Sequence, residues 1–204
     1  MPVRFLHPLL VALVVALGAP AALAQSAQTQ GQAVDQIANP PPVVDPRVLS
    51  ERDRRAYTDT LRQARMRIDQ KQYDNAIALL DPLIAAHPRE PQARFMKGLA
   101  QTEAGRRDDA LATYRALAAD YPELPEPHNN LAVLYGEKGE YDAARAELEL
   151  AVKAAPDYAV GHENLADVYA RLAATHYERA MELDRRNKTA PAKLKLVQEA
   201  TKNP

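Results

Sequence analysis

The pattern of apolar and polar positions divides the chain into three parts. Residues 9–17 form an unbroken apolar run, and residues 25–49 show no apolar period. From residue 50 onward, apolar residues recur three and four positions apart, which places their side chains on one face of an α-helix. The pattern therefore predicts an all-α body that begins near residue 50 and extends almost to the end of the chain.

The first 24 residues are typical of a signal peptide. Arg4 gives a basic start, the apolar run follows, and small residues occupy the cleavage positions before Gln25. The alternative is an uncleaved membrane anchor, but the apolar run is much shorter than the roughly 20 residues that a spanning helix needs. We therefore expect cleavage after Ala24, a periplasmic location and no transmembrane span in the mature chain.

The segment at residues 25–49 is rich in Gln, Ala and Pro, with three consecutive prolines at 40–42. Such a composition cannot bury a core, so we expect an extended or disordered linker. A plain spacer is the simpler interpretation, and a polyproline ligand for a partner domain is the alternative.

The body contains an internal repeat of 34 residues. The sequence PHNNLAVLY at 127–135 aligns with GHENLADVY at 161–169, and the same frame defines full units at 57–90, 91–124 and 125–158. The units share a small residue in each helix, a bulky residue in the second helix and a closing proline. These positions hold Ala64, Gly98, Ala132 and Ala166; Ala76, Ala110 and Ala144; Leu80, Tyr114 and Leu148; and Pro88, Pro122 and Pro156.

This period and residue pattern resemble the tetratricopeptide repeat (TPR) family over roughly residues 57–184. The resemblance implies a right-handed α-solenoid of helix hairpins, in which each hairpin buries its apolar face against the next. It also implies turn glycines at Gly105 and Gly139, with Lys71 in that place in the first unit. The family is a binding scaffold, so we expect a protein or peptide partner and no enzymatic activity.

The first unit departs from a regular pattern at both of its helices. The first helix is predicted to start at a cap at Ser50 and to run to about Asp69. Pro82 falls inside the second helix and should kink or split it, because proline lacks an N–H group and clashes with the preceding turn.

The fourth unit, at 159–184, is degenerate. The family spacing places thirteen residues between Tyr169 and the next aromatic residue, but Tyr177 comes after eight, so the residues of the turn are missing. Neither Gly nor Pro occurs between Glu163 and Arg186. The pattern therefore predicts one continuous helix from about Ala159 to Arg185.

A last short helix is predicted at 190–201, capped by Thr189, with Leu194 and Val197 facing inward. Its simplest role is to cover the open end of the solenoid. The alternative is that the long helix exposes an apolar face, at residues 168–184, to a second copy of the chain or to a partner.

Composition excludes several classes of chemistry. The chain has no Cys, which removes disulfides and thiolate catalysis, and its two serines lie outside the repeats. The 26 Lys and Arg residues nearly balance the 27 Asp and Glu residues, which argues against nucleic acid as a partner. His128 and His162 occupy equivalent places in adjacent repeats, too far apart to share a metal easily. We therefore expect no catalytic residues, no metal and no cofactor.

The resemblance places a peptide-binding groove along the first helices of the repeats. The residues that it assigns to this groove are Gln92, Phe95, Leu99, Thr102, Glu126, Asn129, Asn130, Val133, Glu163, Asn164 and Asp167. Some family members bind a C-terminal carboxylate through Lys and Asn, but Phe95 and Leu99 stand where one such pair would be. An extended segment with apolar and basic side chains fits this lining better.

Charge is uneven along the chain. Residues 185–204 contain six basic residues and one acidic residue, whereas the preceding body is acidic. Solubility and the preference of helix C-termini for cations explain this tail in the simplest way. The alternative is contact with an anionic envelope surface or an acidic partner.

Together with the export signal, the repeats indicate a scaffold in cell-envelope assembly.

Overall fold

The computed structural model describes residues 51–201, and over that range the chain forms eight α-helices. They are α1 Glu51–Asp69, α2 Tyr73–Ala86, α3 Pro91–Glu103, α4 Arg107–Asp120, α5 Pro125–Glu137, α6 Tyr141–Ala154, α7 Ala159–Leu183 and α8 Ala190–Ala200. The predicted signal peptide, the linker and the Ser50 cap lie outside the described residues. Among these helices none is both long enough and apolar enough to cross a membrane.

The chain divides within α4 into two compact units, which consist of residues 51–113 and 114–201. In the first unit, α2 packs against both α1 and α3. In the second unit, α6 packs against α5 and α7, and α8 packs against α7. Within each compact unit these helices thus pack mainly against their neighbours in sequence, as hairpins joined by short turns require.

Small residues are fully buried between the helices of the first compact unit, residues 51–113. Ala64 of α1 and Ala76 of α2 have no exposed surface. Short side chains let helix backbones approach closely. The fully buried Leu80 packs in one cluster with Ala64, and Ala76 packs in a second cluster with Ile68. Ala110 of α4 is fully buried as well, as the repeat predicts.

The second compact unit, residues 114–201, buries small residues in the same way. Ala132 of α5, Ala144 and Leu148 of α6 and Val168 of α7 form one buried cluster. In contrast, Ala166 is exposed although it stands at the small-residue position of the fourth unit. Its exposure follows from the missing second helix, since no hairpin partner exists to cover that position.

The three hairpin turns share one backbone conformation. Lys71, Gly105 and Gly139 have positive φ angles of 59°, 76° and 77°. In each turn the next residue donates its N–H to the carbonyl oxygen five positions earlier, as from Gln72 to Arg67 at 2.8 Å. The turn positions implied by the repeat are therefore confirmed, and Lys71 adopts a conformation that glycine adopts more easily.

Pro82 does not split α2, which continues as one helix to Ala86. The proline side chain is exposed, while Leu80 on the preceding turn is fully buried. Beside it, Asp81 pairs with Lys97 of α3 at 2.6 Å. Tertiary packing on the opposite face thus holds the helix together across the hydrogen bond that Pro82 cannot make.

The long helix of the fourth unit is confirmed. α7 contains 25 residues and ends at Leu183, two residues before the predicted end. The short helix α8 packs against it, and Leu194 and Val197 are half-buried.

Thr189 stands at the N-cap position of α8, as predicted, but its side chain makes no capping hydrogen bond. The Oδ1 atom of Asn187 accepts hydrogen bonds from the backbone N–H groups of Thr189 and Ala190, at 3.0 and 2.9 Å. The Thr189 hydroxyl donates to the same Asn187 oxygen. Asn187 supplies these bonds instead, because its side chain reaches forward to the N–H groups of Thr189 and Ala190 at the start of α8.

Candidate functional site

The predicted groove residues of the second repeat, at 91–124, all lie on α3. Leu99 packs in a core cluster with Ile68 and Ala76 and is 4% exposed, so its side chain belongs to the core. The Thr102 hydroxyl donates to the carbonyl oxygen of Gly98 at 2.9 Å, within the same helix. Gln92 and Phe95 are half-buried. The structure therefore leaves Gln92 and Phe95 as the accessible members of this set.

The predicted groove residues of the third and fourth repeats lie on two helices that contact each other, α5 and α7. On α5 they are spaced at i, i+3, i+4 and i+7, which places them on one face of that helix. We call this set the α5–α7 surface; it consists of Glu126, Asn129, Asn130, Val133, Glu163, Asn164 and Asp167.

A buried hydrogen bond joins the two helices at this surface. The Asn164 side-chain amide donates to Oδ1 of Asn129 at 2.7 Å. Asn129 is 2% exposed and Asn164 is 7% exposed. Because the bond uses one acceptor of Asn129 and one donor of Asn164, each amide keeps further hydrogen-bonding capacity.

Glu126 is the unusual member of the surface. It lies in the first turn of α5, directly after Pro125, and is 8% exposed. Its Oε2 atom has no hydrogen-bond partner among the described residues. Burial raises the pKa of this carboxyl group, and a hydrogen bond with its own backbone opposes that rise. A carboxylate with one orphaned oxygen is costly to bury.

Two exposed carboxylates on α7 make the surface more acidic. Glu163 and Asp167 are one turn apart, and both are exposed. Partial desolvation raises the pKa of Asp167, the negative charge of Glu163 raises it further, and Arg171 lowers it. The surface thus combines uncharged amide groups with an excess of negative charge.

Tyr158 packs closely against the first turn of α7. Its ring lies so close to Gly161 that a Cβ atom there would stand 2.6 Å from the ring carbon Cδ1. Burial raises the pKa of the Tyr158 hydroxyl well above its ordinary value, and the nearby charge of Glu126 adds to this effect. Glu126 therefore lies close enough to this joint to act on the residue that precedes α7.

The two repeat histidines serve different contacts. His128 Nδ1 lies 2.7 Å from Oε2 of Glu147 and links α5 to α6, with the histidine side chain 8% exposed. His162 Nε2 lies 2.9 Å from the carbonyl oxygen of Pro156. Within residues 51–201, no group of three or more His, Cys, Asp or Glu side chains is placed to hold a metal ion.

The contact between Tyr158 and Gly161 was not predicted from the sequence. The signal that pointed to this position is the change of residue, since Gly161 stands where the preceding repeat has Pro127. It also placed Glu126 in the groove without indicating that the carboxylate is buried. The remaining groove assignments stay predictions, since only the placement of their side chains is observed.

The comparisons with known proteins agree on the family. Two models described as tetratricopeptide repeat match the chain, one over residues 61–125 and the other over residues 101–172. No curated protein has a sequence that matches it. Among solved structures, the crystal structure of a thermophilic TPR protein from Thermus thermophilus is similar, with a TM-score of 0.53 and 21% identity. That alignment covers 72% of this chain and 83% of the other, and it shows a likeness of fold. Because the family matches together span more than half of the sequence, the chain belongs to the tetratricopeptide repeat family and has its all-α solenoid fold.

Proposed function

We propose that this protein is a non-catalytic scaffold that binds an extended segment of a partner protein on the α5–α7 surface. The observation that carries the proposal is the combination of the buried Asn129–Asn164 pair with the orphaned carboxylate oxygen of Glu126. A buried polar atom without a partner, such as Oε2 of Glu126, is costly unless a ligand pairs with it.

The chemistry of the surface suits a peptide backbone. An extended segment presents alternating N–H and C=O groups, and the two amide side chains can both donate to and accept from such groups. Val133 lies two turns from Glu126 on the same face of α5, but it is buried, so its side chain belongs mainly to the core beneath this surface. Recognition of a protein segment by a TPR scaffold needs no catalytic group.

The test is a selection from a displayed library of random decapeptides with the purified protein as bait. A selected peptide should shift the side-chain NH₂ signals of Asn129 and Asn164 in amide NMR spectra of the ¹⁵N-labelled protein. The double variant Glu163→Arg/Asp167→Arg should weaken binding. Glu178→Arg, an exposed charge reversal further along α7, is the matched control and should bind normally. Failure to select any peptide would refute the proposal.

We further propose that the protein acts in the periplasm, in the assembly of an envelope complex. The basic start, the short apolar run and the small residues before Gln25 support export. Fractionation of cells that produce the full chain should find the protein in the periplasmic fraction, and mass spectrometry should find Gln25 at its N-terminus. A cytoplasmic protein that retains its first 24 residues would contradict this part of the proposal.

Self-association through the end of the long helix is the second candidate. The observation that favours it is the exposure of large apolar side chains, 71% for Leu183 at the end of α7 and 66% for Leu196 in α8. Sedimentation velocity over a range of concentrations tests the idea. A dimer that Leu183→Asp dissociates would support self-association, and a monomer at every concentration would exclude it.

A further inference from the structure

The unpartnered Oε2 atom of Glu126 indicates more than a general peptide-binding role. Glu126 is more than nine-tenths buried, and its carboxyl group makes a hydrogen bond with its own backbone. A protein gains no stability from an orphaned buried carboxylate oxygen, because burial removes the water that would otherwise solvate it. A ligand that pairs with this oxygen would offset the cost of its burial.

The helix register places Glu126 at the recognition surface. Asn129, Asn130 and Val133 follow it at three, four and seven positions, so that all four side chains share one face of α5. Glu126 also acts electrostatically on Tyr158, the residue directly before α7. The carboxylate therefore lies on the side of α5 that faces α7, next to the Asn129–Asn164 pair.

The charge around this position is negative. Glu163 and Asp167 project from α7 at the same surface, and Arg171 acts on Asp167. The two exposed carboxylates would attract a cation to the surface. The cation could then pair with the carboxylate of Glu126, which is largely shielded from water. Charge-assisted hydrogen bonds are strongest where water is excluded.

We propose that the α5–α7 surface selects segments that carry a lysine or arginine side chain, and that the cationic head of this side chain binds Oε2 of Glu126. This inference rests on the proposed function and adds the chemistry that distinguishes one partner segment from another. The amide pair binds the backbone of any segment, whereas Glu126 forms an ion pair only with a segment that carries a positively charged side chain.

The library selection tests the inference directly. Decapeptides selected on the wild-type protein should be enriched in Lys or Arg at one position, and Glu126→Gln, which has nearly the same shape and no charge, should lose that enrichment. A selected arginine peptide should bind the wild-type protein roughly tenfold more tightly than the same peptide with citrulline, the uncharged isostere. The Gln variant should bind the two peptides alike.

Each outcome has a definite meaning. Peptides selected without enrichment in Lys or Arg, or an arginine preference that persists in Glu126→Gln, would overturn the role of Glu126 and leave peptide binding intact. Selection of no peptide would refute the proposed function and this inference together. A thermal melt of Glu126→Gln that matches or exceeds the wild type ensures that lost preference does not reflect lost folding. The exposed variant Glu178→Gln, further along α7 and outside the α5–α7 surface, should retain the preference.

Discussion

The Asn164 side chain donates a hydrogen bond of 2.7 Å to Oδ1 of Asn129, and this bond connects the first helices of consecutive repeats. The two residues are 35 positions apart, one more than the repeat length, so they are not equivalent in the two units. The bond therefore fixes the register between α5 and α7 in a way that repetition alone does not.

Removal of either amide should destabilise the second unit. Asn129→Ala and Asn164→Ala should each lower the free energy of unfolding by about 1–2 kcal/mol, because each leaves a buried polar partner unsatisfied. The double variant should lose less than the sum of the two, with a coupling of about 1 kcal/mol in urea denaturation. The half-buried Asn130→Ala is the control, and additive losses for Asn129 and Asn164 would show that the bond is energetically unimportant.

The fold could be predicted from the sequence wherever one local requirement recurs at a fixed spacing. Ala76, Ala110 and Ala144 are all fully buried because each hairpin needs a close approach of two backbones at that place. The continuous helix α7 could be predicted equally well, since its sequence has no proline and no glycine at the position where the other repeats turn. These features depend on a residue and its own helix or hairpin.

The site was less predictable because burial and partner choice depend on residues far apart in sequence. A glutamate in the first turn of a helix is usually solvated and favoured by the helix dipole, so nothing local marks Glu126 as buried. Asn187 and Thr189 are both common capping residues, and only the three-dimensional path of the chain decides that Asn187 makes the bonds.

The conformation of Lys71 predicts a stabilising substitution. Lys71→Gly should raise the free energy of unfolding by about 0.5–1 kcal/mol, because a non-glycine residue with positive φ is strained. Gly139→Ala is the matched opposite change, since no atom lies within 4 Å of the added Cβ and only the backbone conformation opposes it. Thermal or urea unfolding of both variants provides the measurement. A loss of stability in Lys71→Gly would mean that the lysine side chain contributes more than its backbone strain costs.

The close contact between Tyr158 and Gly161 predicts a context-dependent effect of alanine. Gly161→Ala should destabilise the protein by about 1–3 kcal/mol, because its Cβ would overlap the Tyr158 ring. In a Tyr158→Ala background the same change should cost little or stabilise α7, since alanine favours helix by about 1 kcal/mol over glycine. Equal effects of Gly161→Ala in both backgrounds, measured by urea denaturation, would rule out the ring as the cause.

Pro82 gives α2 a defect that substitution should repair. Pro82→Ala should raise the free energy of unfolding by about 1–3 kcal/mol, because alanine restores an internal hydrogen bond and has the highest helix propensity. Pro91→Ala is the control, since Pro91 is the first residue of α3, where a missing N–H costs little. Unfolding curves in urea should separate the two variants. If both behave alike, the packing around Leu80 and Leu83 already accommodates the proline without cost.

The burial of Glu126 predicts how stability depends on pH. Its pKa is raised above the ordinary value of 4.5, so the folded state holds this proton more tightly than the unfolded chain does. The stabilisation is therefore complete below pH 4.5 and is lost as the pH rises through the pKa of the folded state. Glu126→Gln carries no charge at any pH and should escape this loss.

At pH 7, Glu126→Gln should consequently be more stable than the wild type by on the order of 1 kcal/mol, and the difference should shrink as the pH approaches 4. Urea denaturation of both proteins between pH 4 and pH 8 measures this difference, and titrations common to both chains cancel in it. Glu178→Gln, an exposed change on α7, should stay within about 0.5 kcal/mol of the wild type. A Glu126→Gln variant less stable than the wild type at pH 7 would show that the carboxylate is already well paired in the free protein, and no binding cation would then be needed to offset its burial.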